Sequence, residues 1–262
     1  MSIVDWAALK TTDIGSRIDE QTLVILPIGA VEQHGPHLPL GTDSLILEGL
    51  LARLRGRTLE RGRALVMPLV PVGYSPEHRS FPGTLTVAAE TLIALWLDLA
   101  RAAAAHGARR FVLLNSHGGN SAPAQVAIMR MRDELELAAA LLTTHRLGTP
   151  AGMVEATEAR YGIHAGHTET ALTLAIAGEL VDMTAARDFH SRERDLATPR
   201  VSYTGAVVRQ AWRSEELHPS GAVGNAAAAT ATDGARLLDH LCETTLAALD
   251  DLLAMPLPPL SR

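Results

Sequence analysis

The sequence predicts an α/β fold: a single domain, residues 1–262, built on a mostly parallel sheet with helices on both faces. Three observations carry that prediction. Short apolar runs that read as buried strands alternate with longer stretches at helical spacing, the order that yields parallel strands joined by crossovers. The segments rich in Gly, Pro and polar residues follow the strands. No composition break or internal repeat divides the 262 residues, a length that suits one large α/β unit.

Leu23–Ile28 is the first clear buried strand, and a loop rich in Gly and Pro carries the chain from it to Asp43. Ser44 to Leu54 sets leucines and an isoleucine at helical spacing. Arg63–Val70 reads as a second strand, followed by the loop Pro71–Gly83. Val87 to Ala105 is rich in Ala and Leu and lacks Gly and Pro, so it predicts a long helix that ends at His106, with Gly107 as the C′ residue. Arg109–Asn115 is a short buried strand, Ser116–Asn120 its loop, and Ala122–Leu135 the next helix. Periodicity leaves Leu137–Thr143 open between strand and helix, and Thr144–Ile163 is mixed. His164–Gly178 predicts a loop entering a helix. Phe189–Gly224 is polar and rich in turns, with no assignable element. The last long helix runs from about Ala226 to Leu253, before the frayed tail Met255-Pro-Leu-Pro-Pro.

Bulk composition removes several function classes. A net charge of −6 offers no basic face for nucleic acid and no attraction to an anionic membrane, and 3% aromatic residues cannot build base-stacking platforms. Hydrophobic content of 47% with 20% charged residues is that of a globular chain with a sizeable core. Cys242 is alone, which excludes an internal disulfide, reads as packing in a helix and fits a reducing compartment. Neither a signal peptide nor a run of about 18 apolar residues is present, so a soluble cytoplasmic protein is expected. No G-x-G-x-x-G follows the first strand, which argues against a dinucleotide-dependent oxidoreductase.

In open α/β sheets, ligands bind beyond the carboxyl ends of the strands. The loops Glu32–Asp43, Tyr74–Phe81 and Ser116–Asn120 each follow a predicted strand and would share one crevice. The first offers Glu32, His34, His37 and Asp43 within a dozen residues, oxygen and imidazole donors suited to a hydrolytic metal centre. Glu32 and His34 are two apart, so an extended chain points both to one side. Asp43, with two carboxylate oxygens, could bridge two ions about 3.5 Å apart that share a water; standing before a helix, it also reads as an N-cap. His117 could complete the first ion. Gly118 and Gly119 suit either exposed backbone N–H groups that hold an oxyanion or a tight strand-to-helix turn. In His164-Ala-Gly-His-Thr-Glu-Thr170, Thr168 suits a helix cap and Glu169 either the helix dipole or the second ion, while His164 could pass a proton to a leaving nitrogen. Tyr74 and His78 are candidates for substrate contact. His106, His190, His218 and His240 have no partner pattern and read as surface or helix-end residues.

These motifs resemble the creatininase (creatinine amidohydrolase) family. Glu32-Gln-His-Gly-Pro-His-Leu-Pro-Leu-Gly-Thr-Asp43, Asn115-Ser-His-Gly-Gly-Asn120 and His164-Ala-Gly-His-Thr-Glu169 carry the resemblance, with Glu77-His-Arg-Ser-Phe-Pro-Gly-Thr84 in support, over roughly Leu23 to Leu180. The resemblance implies a creatininase-like α/β fold, two divalent metal ions per chain (zinc, manganese or iron) and a homo-oligomer, often a hexamer. It also implies Glu32 and His117 on one ion, His34 on the other, Asp43 as the bridge and His164 as the catalytic histidine.

Two departures separate this chain from creatininase itself. Gly119 stands where that enzyme has a metal-binding glutamate, which makes Glu169 the candidate for the open ligand position. Trp6, Trp96 and Trp212 all lie outside the motif loops, so the tryptophans that surround its substrate ring have no evident counterpart. The expected activity is a metal-dependent amidohydrolase acting on a C–N bond of a small molecule, an amide, cyclic amide or formamide. Two alternatives stand beside it: a peptidase-like member that trims a cofactor precursor, and a non-catalytic metal- or ligand-binding protein that retains the fold.

Overall fold

The structure, a computed structural model, describes residues 2–196, 198–205 and 207–260. In chain order the principal elements are β1 (Ile3–Asp5), α1 (Thr11–Arg17), β2 (Thr22–Ile28), α2 (Thr42–Leu54), β3 (Arg63–Val66), α3 (Ala89–Ala105), β4 (Arg110–Asn115), α4 (Ser121–Leu135) and β5 (Ala138–Thr143). They continue with α5 (Ala156–Tyr161), α6 (His167–Ala177), the single turns α7 (Glu193–Leu196) and α8 (Ser214–Leu217), and α9 (Ala231–Ala254).

The five strands form one sheet in the order β1-β3-β2-β4-β5, and every pairing in it is parallel. All seven residues of β2 are buried, as a central strand covered on both faces requires. Alternation divides its side chains between two cores. Leu23 and Ile25 face α2, α6 and α9, while Val24, Leu26 and Ile28 face α3 and α4. Trp96 of α3 and Phe111 of β4 are fully buried in the second core, and Trp96→Ala would cost roughly 3–5 kcal/mol.

The topology places the crevice. β2 and β4 are neighbours, yet the helices that follow them leave to opposite faces: α2 joins α6 and α9, and α4 joins α3. The loops after two adjacent strands therefore diverge, the arrangement beyond which open α/β sheets bind their ligands.

Several elements differ from their predicted form. β3 stops at Val66, because Pro68 has no N–H for the ladder; beyond it Val70 makes a single parallel bridge to Ile28. Leu137–Thr143, undecided by periodicity, is strand from Ala138, since β4 offers it a full edge from Arg110 to Asn115. α9 begins at Ala231, where the Thr230 hydroxyl accepts from the Asp233 N–H, and the preceding Ala226–Ala228 is a 3-10 turn. Gly107, at φ +94, takes the left-handed position beyond α3 as predicted. The unassigned 188–225 segment holds only short pieces: Asp188–Phe189 pairs antiparallel with Gly224–Asn225, and Val201–Ser202 pairs with Val208–Arg209. Among the described residues, no helix is long and apolar enough to cross a membrane.

Candidate metal centre

Five of the sequence-selected residues converge beyond β2 and β4: Glu32, His34, Asp43, His117 and Glu169, with His164 against them. Their ligand atoms form three overlapping sets, Glu32/Asp43/His117, His34/Asp43/Glu169 and Glu32/His34/His164, each with its atoms within 4.8 Å of one another. Asp43 Oδ2 lies 3.6 Å from His117 Nδ1 and 3.8 Å from His34 Nε2. Glu32 Oε1 lies 3.3 Å from His117 Nδ1, and Glu169 Oε2 lies 3.8 Å from His34 Nε2. Asp43 is common to the Glu32/Asp43/His117 and His34/Asp43/Glu169 sets. It is not a helix cap: α2 has Gly41 as its N-cap, and Asp43 sits inside the first turn without a capping bond. Thr168 likewise does not cap α6, whose N-cap is Gly166.

Local backbone chemistry aims each group. The His34 Nδ1–H donates to the Glu32 carbonyl at 3.1 Å, leaving Nε2 bare toward the crevice. The His117 Nε2–H donates to the Tyr74 carbonyl at 2.9 Å, leaving Nδ1 toward Glu32 and Asp43. Asn115 brackets His117 through its N–H and its carbonyl, and the Ser116 hydroxyl donates to the Asp43 carbonyl, tying the two loops together. Asn120 donates to the Gly29 carbonyl and accepts from the Tyr74 N–H, joining a third loop. Glu169 accepts from the Ala165 N–H at 2.6 Å. Ala165 itself has φ +55, a conformation costing about 1–3 kcal/mol for a residue with a Cβ, and it turns His164 inward.

The donor set fits a metal. Glu32 Oε2, His34 Nε2 and Asp43 Oδ2 are buried without a hydrogen-bond partner, and such atoms cost roughly 1–3 kcal/mol each unless something binds them. Electrostatics agree. Burial pushes Asp43 well above the usual carboxylate range, and the charge of Glu32 adds to it. Burial would also raise Glu32, but contact with His117, together with His78 and His164, holds it below that range. Burial opposes charge on His117, yet Glu32, Asp43 and Glu77 carry it up to about 10. The metal-free centre thus keeps a proton between carboxylates, at a place a cation would take. Burial and the neighbouring His34 lower His164 to about 4, and burial with His164 lowers His78 to about 2.

The remaining candidates take other positions. His78 Nε2 lies 3.3 Å from Glu32 Oε1, against a ligand rather than at the crevice mouth. The Tyr74 ring packs on the second core, and its backbone orients His117. Gly118 has open space around it, whereas a Cβ on Gly119 would stand 2.2 Å from the Tyr74 carbonyl oxygen and 2.4 Å from His117 Nε2. Close approach, not a left-handed turn, is what Gly119 permits. His37 bonds Thr170 at 2.9 Å and supports α6 from outside the ligand sets. Sequence reasoning missed Gln33, Ser75, Glu77 and Ser214. Gln33 lies inside the motif, but its neighbours are ordinary in type and announce nothing. Trp212, outside every motif, comes edge-on to His78 with ring centroids 6.4 Å apart, so an aromatic ring does border the centre.

Fold and site together define a parallel α/β protein with a buried cluster of side chains that could hold metal. The family model for creatininase, creatinine amidohydrolase, matches residues 7–249. A mycofactocin precursor peptide peptidase of Mycobacterium ulcerans (strain Agy99) is 33% identical over 227 residues, 84% of this chain and 81% of that protein. A creatinine amidohydrolase of Pseudomonas putida is 40% identical over 104 residues, 38% of each chain. A solved creatinine amidohydrolase (creatininase) shares the fold at a TM-score of 0.75 and 23% identity, over 98% of each chain. Two other solved relatives of this fold are described as creatininase with manganese and as a zinc-zinc form. The chain belongs to the creatininase family.

Proposed function

We propose that this chain is a metal-dependent hydrolase that cleaves the C–N bond of an amide, with the peptide amide of a precursor as the favoured substrate and a small-molecule amide as its competitor. The observation that carries the reading is the convergence of three unpartnered buried ligand atoms, on Glu32, His34 and Asp43, beside His117 and Glu169. The 33% identity to a precursor peptide peptidase over most of the chain supports the peptide.

Glu32, Asp43 and His117 would hold one ion, and His34, Asp43 and Glu169 the other; zinc or manganese suits these oxygen and imidazole donors, with iron as a third fit. Bound there, two ions lower the pKa of water and polarise an amide carbonyl. The chain's own residues do the rest. His164 Nδ1 lies 3.8 Å from Glu32 Oε1, with its ring against the candidate ligands. Held neutral by burial, His164 can take a proton there and pass it to the departing nitrogen. Glu32, His34, Asp43 and His117 are buried, and Trp212 stands edge-on to His78 on one side. Gly118, Gly119 and the Tyr74 segment line the crevice beside His117 as substrate contacts. We further infer a cytoplasmic homo-oligomer, in line with the family resemblance.

The test is turnover after chelation and reconstitution with zinc or manganese, over short peptides, creatinine, formamides and cyclic amides. Activity should vanish with chelator and return with metal, with about two ions per chain. Full turnover without metal would refute the mechanism. One ion or none, with no turnover, would favour the non-catalytic binding protein.

A further inference from the structure

Gln33 lies between the first two ligands of the motif and has no role in the mechanism above. The residue is 5% exposed, and its side-chain amide is held between His164, His78 and the Gly221 backbone. Oε1 accepts from the Gly35 N–H at 2.9 Å, and Nε2 lies 3.1 Å from the Gly221 carbonyl oxygen, so the amide has one orientation. Nε2 is also 2.7 Å from His78 Nδ1 and 3.0 Å from His164 Nε2. Gly221, at φ +80, lies flat on this amide; a Cβ there would stand 2.3 Å from Gln33 Oε1.

Hydrogen counting then fixes both rings. His164 Nε2 lies 2.7 Å from the Gln33 backbone carbonyl oxygen, a contact that needs a hydrogen on the nitrogen. His164 is therefore the Nε2–H form, with a bare Nδ1 toward Glu32. The Gln33 amide has two hydrogens. One serves the Gly221 carbonyl, and His164 Nε2 cannot accept the other, so it goes to His78 Nδ1. His78 must then carry its own hydrogen on Nε2, which donates to Glu32 Oε1 at 3.3 Å. Ser214 Oγ touches the same His78 Nδ1 and also lies 2.9 Å from the Glu77 carbonyl oxygen, and its single hydrogen can serve either.

We propose that Gln33 is a positioning residue that selects the hydrogen-bearing nitrogen of two histidines at once, through its backbone carbonyl for His164 and its side-chain amide for His78. The consequence is specific. His164 presents a lone pair to the centre, so its first act is to accept a proton; His78 presents an N–H to Glu32, so it orients a ligand carboxylate and does not itself bind metal. Only the kinetic arm of the test rests on the proposed hydrolysis; the spectroscopic arm does not.

The experiment uses the full chain labelled with 15N-histidine, with long-range 1H–15N spectra that distinguish the two neutral ring forms. His78 and His164 are assigned by single substitutions. In the unaltered chain both should show the Nε2–H pattern. Gln33→Glu keeps the shape but places an acceptor at His78, which should convert to the Nδ1–H form; Gln33→Met removes the donor and should leave His78 a mixture of forms. His164, held by backbone, should keep its form in both, and metal content should stay at the level of the unaltered chain. With a turned-over amide, kcat should fall about 10- to 100-fold while KM changes little, since outer groups that orient ligands carry effects of that size. An Nδ1–H pattern for His78 in the unaltered chain overturns the proposal, and that spectrum decides even if both variants fail to fold. An unchanged His78 pattern in folded Gln33→Met overturns it equally, whatever the kinetics show.

Discussion

The Gly29–Asp43 loop and the 188–225 segment meet at the same centre by opposite routes. The loop supplies three candidate ligands within a dozen residues, and each is 2% exposed or less. Among its described residues, the segment supplies no candidate ligand, has no element longer than four residues, and leaves Val207 and Val208 exposed. Yet it holds the centre from behind. The Val223 N–H donates to the His164 carbonyl at 2.9 Å, Gly221 seats the Gln33 amide, Ser214 touches His78, and Trp212 stands edge-on to the same ring. The difference teaches that chemistry is concentrated where the chain is short and turning, while the orientation of that chemistry is borrowed from distant, irregular backbone.

Substitutions sort along that division. The largest effect should come from Asp43→Ala, because Asp43 belongs to two of the three candidate ligand sets and joins them. Metal analysis should find both ions lost and turnover at background; two ions retained would break the assignment. Glu169→Ala comes next and should reduce the content to about one ion per chain while the first set survives. Unchanged occupancy would remove Glu169 from the centre.

Protons give a third measure. His117 is held up at about 10, so it carries a proton at neutral pH that a metal must displace, and burial pushes Asp43 upward in the same sense. Affinity should therefore rise with pH, by about tenfold per pH unit for each proton released. Calorimetry in buffers of different ionisation enthalpy reads the number, and no proton release would contradict the arrangement. The same shift has a stability sign. A folded value raised from 6.5 to about 10 stabilises the metal-free chain fully below 6.5 and is lost as pH climbs toward 10. The smallest effect belongs to the supporting segment. Ser214→Ala should keep both ions and lower turnover by about 10-fold, since Ser214 meets the Glu77 carbonyl and His78, and reaches the centre only through His78 against Glu32. Loss of metal on that change would make the segment as essential as the loop.

Much of this was legible beforehand, for identifiable reasons. β2, β4, α3 and α4 were readable because burial on two faces demands an unbroken apolar run and a covering helix demands its own period. Glu32, His34, Asp43 and His117 were readable because ligand types at strand ends are scarce enough to stand out. β5 was not, because its six residues are apolar and short, and only the edge of β4 makes them strand. Gln33 and Ser214 were not, because an amide and a hydroxyl are common, and their meaning comes from the ring nitrogens they meet. Trp212 was set aside for lying outside the motifs, and folding brought it back.

The parallel α/β plan, the family and the residue types of the centre are written in the chain, because these follow from local period and from the chemistry of consecutive residues. Tertiary structure alone decided that Asp43 is shared between two ligand sets, that Glu169 reaches His34, and which nitrogen of each histidine faces inward. Those facts depend on distances of a few ångströms between residues up to 188 positions apart, and no spacing along the chain encodes them.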